Sequence, residues 1–279
     1  MKKIAFCGIL VILVGVFVYS GYRLLSKMGE YKQIEDAYEG IAELVVQTVP
    51  TTQRDEPEEP SDSLPAESRP GQSEHEWEEP DTGNDNPYDG ISVPIVVDFE
   101  TLCKINPDIV GWIYCEGTVI NYPVLKGKDN DTYLYHQYDG TYSSGGSIFM
   151  DYRCKDDLSD DYTVIYGHNM LADSMFNCLD YFRDEDYLRE HSRFFYLTPS
   201  GKNYCLEVAC VNLTAYKDDL RLFELRDDER NLELIRSEAE ADTGIELTNE
   251  DRIALLATCT YDFKNAKCTL LCKVIDLNT

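Results

Sequence analysis

From residue 91 onward, short apolar runs recur between polar punctuation: VGWIYCEG (110–117), VINYPVLK (119–126), GSIFMDY (146–152), YTVIYGH (162–168), RFFYLTP and NYCLEVACVNL on either side of the turn SGK (193–213), IALLATC (253–259) and KCTLLCKVI (267–275). They are rich in β-branched and aromatic residues, and many are bounded by Gly, Asn, Asp or Pro. This predicts about eight strands and a mainly β fold, either a sandwich or a closed barrel. Two stretches have helical spacing instead. One, near 174–190, turns Met175, Leu179, Phe182 and Leu188 inward; the other, 228–242, puts Leu232, Ile235 and Ala239 on one face.

Upstream the pattern changes three times. Residues 4–22, IAFCGILVILVGVFVYSGY, carry no charge and match the ~20 residues of a bilayer-spanning helix. A cleaved signal peptide has a shorter apolar region of ~7–15 residues and a small-residue cleavage site, and VYSGYRLL offers no such site. Residues 1–25 therefore read as a transmembrane anchor. Lys2, Lys3 and the α-amine favour a cytoplasmic N-terminus, although Arg23 and Lys27 weaken the asymmetry. The bulk of the chain is then extracellular.

Over 26–49, Tyr31, Ile34, Tyr38, Ile41 and Val45 alternate in steps of three and four, the stripe of an amphipathic helix packed on its own domain. The pattern is shorter than the ~3–4 heptads of a coiled coil. Residues 50–90 hold thirteen acidic side chains, two basic ones and seven prolines. Such a segment buries too little apolar surface to offset chain entropy, so a solvated, disordered stalk acting as a spacer is expected. The globular domain is read as 91–279. A net charge of −27 argues against nucleic acid as a partner, because phosphate binding needs clustered Lys and Arg.

Ten cysteines are present; Cys7 lies in the anchor and nine lie beyond it. An odd number cannot all pair within the chain, and a domain of this size needs no disulfide staples to form a core. Cys115, Cys205, Cys268 and Cys272 fall inside predicted strands, where cysteine behaves as a small buried hydrophobe. Zinc fits loosely with the Cys205/Cys210 and Cys268/Cys272 spacings, but both pairs sit within continuous strands and not on turns. Cys259 differs from its neighbours. It stands where the apolar run IALLAT ends and polar TYDFKNAK begins, a position both anchored and reachable. A thiol becomes a nucleophile when an imidazole or cation favours the thiolate. His168 ends the strand YTVIY after Gly167, whereas His136 and His191 sit among polar neighbours that suit surface or packing roles. Cys259 and His168 are the candidate pair.

The motifs YGHNM (166–170) and LLATC (255–259), together with INPDIVGWIYCEGTVINYPVLKGKDNDTYLYH (105–136) and GGSIFMDYR (145–153), resemble those of a class B sortase, in the same order and over essentially all of 91–276. The resemblance implies an eight-stranded sortase β-barrel with N-terminal helices and a helix inserted before the cysteine strand, tethered to the membrane at the outer face of a Gram-positive cell. It also implies a cysteine transpeptidase. Cys259 attacks the Thr carbonyl of a sorting signal at Thr-Gly or Thr-Asn and forms a thioacyl enzyme. His168 protonates the leaving amine and then accepts a proton from the amine of a peptidoglycan precursor. No metal or organic cofactor is required.

The family carries an arginine eight residues beyond the cysteine, at the start of the next strand. This chain has Lys267 there, and it has Asn169 where a second histidine is often seen. An ammonium lacks the two-pronged geometry of a guanidinium but still brings positive charge to a developing oxyanion. Lys267 is therefore the expected third catalytic residue. The departure keeps two alternatives open: a catalytically weak or silent module that binds sorting signals, and a thiol hydrolase that uses water in place of an amine.

Overall fold

The computed structural model describes residues 2–49, 88, 90–170, 174–215 and 229–278, with the side chains of residues 2–9, 11, 215, 229–231 and 234 outside that description. Helix α1 runs unbroken over Lys2–Val45. The expected anchor falls partly on the undescribed side chains, Cys7 among them. Among the described residues no helix is long and apolar enough to cross a membrane; in α1, Leu10, Phe17 and Leu25 are exposed.

The second half of α1 behaves differently. Ile34, Tyr38, Ile41, Ala42 and Val45 are buried in the main core, which makes the predicted stripe a packing face within the domain. Tyr38 Oη donates to the Gly146 carbonyl at 2.8 Å and lies 3.0 Å from Ser147 Oγ, and Glu30 accepts from Ser144 Oγ at 2.6 Å. The helix is thus latched to the 143–147 loop.

Strand β1 (Val46–Thr48) follows α1 directly and pairs antiparallel with β2 (Ile95–Val97). Val49 N donates to Pro94 O at 2.8 Å. The two ends of the 50–90 segment are therefore held side by side, and its length does not set the distance between α1 and the barrel as a spacer would. Residues 50–87 and 89, with His75 and Trp77 among them, lie outside the described residues. Part of the core also comes from upstream of residue 91.

The remaining elements are α2 (Phe99–Ile105), β3 (Ile109–Tyr114), β4 (Asn121–Leu125), β5 (Ile148–Met150), β6 (Tyr162–Tyr166), a 3-10 helix (Asn177–Arg183), α3 (Glu185–Glu190), β7 (Arg193–Leu197), β8 (Asn203–Ala215), α4 (Glu229–Ser237), β9 (Ala241–Asp242), β10 (Ile253–Cys259) and β11 (Ala266–Asp276). The sheet order is β11-β10-β6-β5-β4-β3-β7-β8, and β11 pairs back onto β8, closing an eight-stranded barrel with β9 appended to β8. Closure removes the exposed edges of an open sheet.

β10 explains its own uninterrupted apolar run. Ala254 and Leu256 face the main core, while Ile253 and Leu255 join a second cluster outside the barrel with Tyr162, Val164, Cys210 and Leu271. Leu232, Ile235 and Ala239 of the α4 region cover that cluster, on the face the spacing predicts. A strand buried on both sides has no reason to alternate.

The single helix expected over 174–190 is two. Asp184, in extended conformation (φ −82°, ψ 123°), ends the 3-10 helix and caps α3 by accepting from the N–H groups of Asp186 and Tyr187. An Asp side chain that satisfies the first N–H groups of a new helix favours this break. Met175, Leu179, Phe182 and Leu188 are buried as expected.

Candidate active site

β6 and β10 run parallel, with Ala257 abreast of Tyr166. Gly167 N donates to Ala257 O at 3.1 Å, and Thr258 Oγ1 donates to Gly167 O at 2.9 Å. Two residues further along this register, Cys259 and His168 leave the barrel at the same rim. Gly167 permits the exit because a Cβ there would lie 2.5 Å from Ile148 Cδ1 and 2.7 Å from Phe176 Cγ. Across the antiparallel pair β10–β11, Lys267 is the register partner of Cys259. All three predicted residues line one cavity of about 240 Å³, with Asn130, Leu134, Phe149, Arg153 and Tyr166.

The cysteines divide sharply by burial. All nine described thiols are free; Cys259 is exposed, Cys103 is half-buried and the other seven are buried. Burial pushes the thiols of Cys115, Cys205 and Cys210 up to about 12 and that of Cys154 up to about 11, and raises Cys268 and Cys272 as well. Those sulfurs are packing groups held as neutral thiols, whereas Cys259 meets solvent at the cavity.

His168 Nε2 lies 2.8 Å from the Leu134 carbonyl oxygen. A carbonyl only accepts, so Nε2 carries hydrogen and Nδ1 is the nitrogen available for proton exchange. Gly146, at a φ of +53°, packs directly against this carbonyl, since a Cβ there would lie 2.5 Å from Tyr133 O and 2.6 Å from Leu134 O. Because Tyr38 binds the Gly146 carbonyl, a line of contacts joins α1 to His168. His136 and His191 lie elsewhere, each with Nδ1 on a carbonyl, that of Thr132 at 2.7 Å and that of Glu116 at 3.1 Å.

Lys267 is 8% exposed, with Nζ 5.0 Å from the centre of the Tyr166 ring, within cation–π range. It is thus held against the cavity wall. The Tyr166 hydroxyl donates to Asp151 Oδ2 at 3.3 Å.

Asn169 is a positioning group that sequence reasoning registered only as a departure. Its Nδ2 donates to Cys259 O at 2.8 Å and to Asp180 Oδ2 at 3.1 Å, and its Oδ1 accepts from Asn177 Nδ2 at 2.6 Å. The turn after Cys259 is pinned as well, by Asp262, which accepts from Thr260 Oγ1 at 2.6 Å and pairs with Arg183 at 3.1 Å. Asn130 and Arg153 also line the cavity, and nothing in the local pattern of INPDIVGWIYCEGTVINYPVLKGKDNDTYLYH or GGSIFMDYR sets them apart.

No protein-family model matches the chain. It is 39% identical to sortase B of Listeria monocytogenes over 162 residues, 57% of this chain and 65% of that protein, which is just under two thirds of the relative's length. It is 32% identical to sortase B of Staphylococcus aureus over 185 residues, 64% of this chain and 75% of that protein. The X-ray structure of Clostridium perfringens sortase B superposes with a TM-score of 0.57 at 35% identity, covering 64% of this chain and 100% of that one. With the barrel and 32% identity over three quarters of the Staphylococcus protein, the chain belongs to the sortase B family.

Proposed function

We propose that this chain is a transpeptidase with Cys259 as nucleophile, His168 as acid and base, and Lys267 as the cation beside the oxyanion. The carrying observation is that an exposed thiol, an imidazole with its Nε2 proton fixed, and a buried ammonium line one cavity at the ends of neighbouring strands. The Cys259 thiolate adds to the Thr carbonyl of a sorting signal at a Thr-Gly or Thr-Asn bond. The tetrahedral oxyanion collapses, the C–N bond breaks, and the imidazolium of His168 gives its proton to the departing amine. An amine of a peptidoglycan precursor then adds to the thioester. His168 takes its proton, and Cys259 leaves as thiolate. Lys267 supplies positive charge where the oxyanion forms.

Solved members of the family support both substrates: a Staphylococcus aureus sortase B–substrate complex and a sortase B complexed with triglycine. The uncharged run 4–22 supports a membrane tether at residues 1–25, with a cytoplasmic N-terminus, the helix of 26–49, the acidic segment 50–90 and an extracellular catalytic domain in 91–279. The test is incubation of the full chain in detergent with a fluorogenic Asn-Pro-Gln-Thr-Asn peptide and a Ser-Pro-Gln-Thr-Gly peptide. A mass increase on Cys259, lost in Cys259→Ala, is expected, and unchanged turnover in that variant refutes the nucleophile. Added triglycine should appear in the product; hydrolysis alone would favour the thiol hydrolase.

A further inference from the structure

The cavity takes in a charged side chain that the thiol chemistry does not use. Arg153 follows β5 in the run Asp151-Tyr152-Arg153 and lines the cavity with Cys259 and His168. Asp151 beneath it is fully buried, and a buried carboxylate requires charge pairing and hydrogen bonds. Arg153 donates through Nε to Oδ1 at 2.8 Å and through Nη2 to Oδ2 at 2.7 Å, and Asn130 Nδ2 donates to Oδ2 at 2.8 Å. Burial works to raise the Asp151 carboxyl, and the Arg153 and Asn130 hydrogen bonds outweigh it and hold the group below its ordinary range.

This geometry orients the arginine. A guanidinium is planar and carries five N–H donors. Its Nε/Nη2 edge is gripped by an immobile carboxylate, so the group cannot swing, yet the side chain remains 39% exposed at the cavity wall. The neighbouring walls are apolar, formed by Leu134, Phe149 and Ala257. Because Asp151 cancels the charge of Arg153, the pair suits an uncharged acceptor over a carboxylate. An extended peptide entering this cavity brings carbonyl oxygens that lose water and need a donor. β5 stands two strands from β10, roughly 10 Å across a sheet with ~4.8 Å between strands. The backbone that carries Arg153 is thus set apart from the one that carries Cys259, and the acceptor assigned to it is a carbonyl on the β5 side of the carbon that Cys259 attacks.

We propose that Arg153, aimed by Asp151, is a peptide-binding residue that donates to an uncharged carbonyl oxygen of the acyl-donor peptide, away from the scissile bond. The assignment rests on the transpeptidase reading of the same cavity. It is tested in the full chain in detergent with two readouts. Fluorescein-labelled Asn-Pro-Gln-Thr-Asn and Ser-Pro-Gln-Thr-Gly peptides are titrated into Cys259→Ala and Cys259→Ala/Arg153→Gln, and adduct formation is followed with Cys259 intact.

For at least one peptide, Arg153→Gln should weaken binding about tenfold, the equivalent of one charge-assisted hydrogen bond, and raise KM with kcat within about threefold. Arg153→Lys, which keeps charge without the fork, should recover only part of the affinity. If Arg153→Gln fails to fold because Asp151 is left unpaired, Asp151→Asn/Arg153→Gln removes the buried charge and should show the same loss of affinity. A folded variant that binds and reacts like its parent overturns the role of Arg153 alone. A parent chain that forms no adduct with either peptide overturns the transpeptidase reading and this inference with it.

Discussion

Asn169 Nδ2 donates to the carbonyl oxygen of Cys259 at 2.8 Å, and the same amide holds Asp180 and Asn177. The residue after the candidate base thus clamps the backbone of the candidate nucleophile and ties both to the 3-10 helix. Asn169→Ala removes this clamp. Stability should fall by about 1 kcal/mol, the net worth of a typical hydrogen bond, and adduct formation should slow as Cys259 loses its fixed direction. Denaturant melts and adduct kinetics by mass spectrometry measure the two effects separately.

Lys267 lies opposite Cys259 and against the Tyr166 ring. If its charge stabilises the oxyanion, Lys267→Ala should lower kcat by ~10²–10³, the range for losing one such group. Lys267→Arg keeps the charge and the ring contact and should stay within about tenfold of the parent. Equal loss in both variants would mean that lysine shape, not charge, is required.

Ile41 is buried where α1 meets the barrel. Ile41→Ala should cost about 2–5 kcal/mol, as for other large-to-small core changes, and a fragment starting at residue 91 should be less stable than one that keeps α1 and β1. Urea unfolding of each checks this, and equal midpoints would contradict the packing.

Gly146→Ala puts a Cβ against the carbonyls of Tyr133 and Leu134 at a φ of +53°. The left-handed backbone alone costs a non-glycine residue roughly 1–2 kcal/mol. Leu134 O is the acceptor for His168 Nε2, so activity should fall together with the melting temperature.

Asp151 is held below its ordinary value of 3.8, with burial opposing and the Arg153 and Asn130 hydrogen bonds prevailing. A depressed folded-state value means that its contribution to stability is present above 3.8 and is lost as pH falls from there through the folded-state value. Asp151→Asn should remove that part of the acid loss of stability, which denaturant midpoints between about pH 5 and pH 2 will follow.

The strand ends were legible because chemistry changes abruptly there. IALLAT gives way to polar residues at Cys259, and Gly167 interrupts YTVIY before His168. The stripe Ile34-Tyr38-Ile41 and the α4 face were legible from spacing for the same reason: burial on one side imposes a period. Other features were not, because they depend on contacts far apart in sequence. Nothing local says that β6 and β10, some ninety residues apart, run parallel in register, or that β1 and β2 join the two ends of the acidic segment. Nor does a local pattern say that Asp184 divides one helical stretch into two.

By itself the sequence determined which residues could be buried, where β6 and β10 stop, and which thiol is reachable, since these follow from the local alternation of apolar and polar side chains. Only the tertiary structure decided that Arg153 and Asn130 share the cavity of Cys259, that Asn169 holds the Cys259 carbonyl, that Tyr38 of α1 binds the Gly146 carbonyl, and that His168 meets the Leu134 carbonyl. Such contacts arise from closure of the barrel, which brings together side chains that no period along the chain relates.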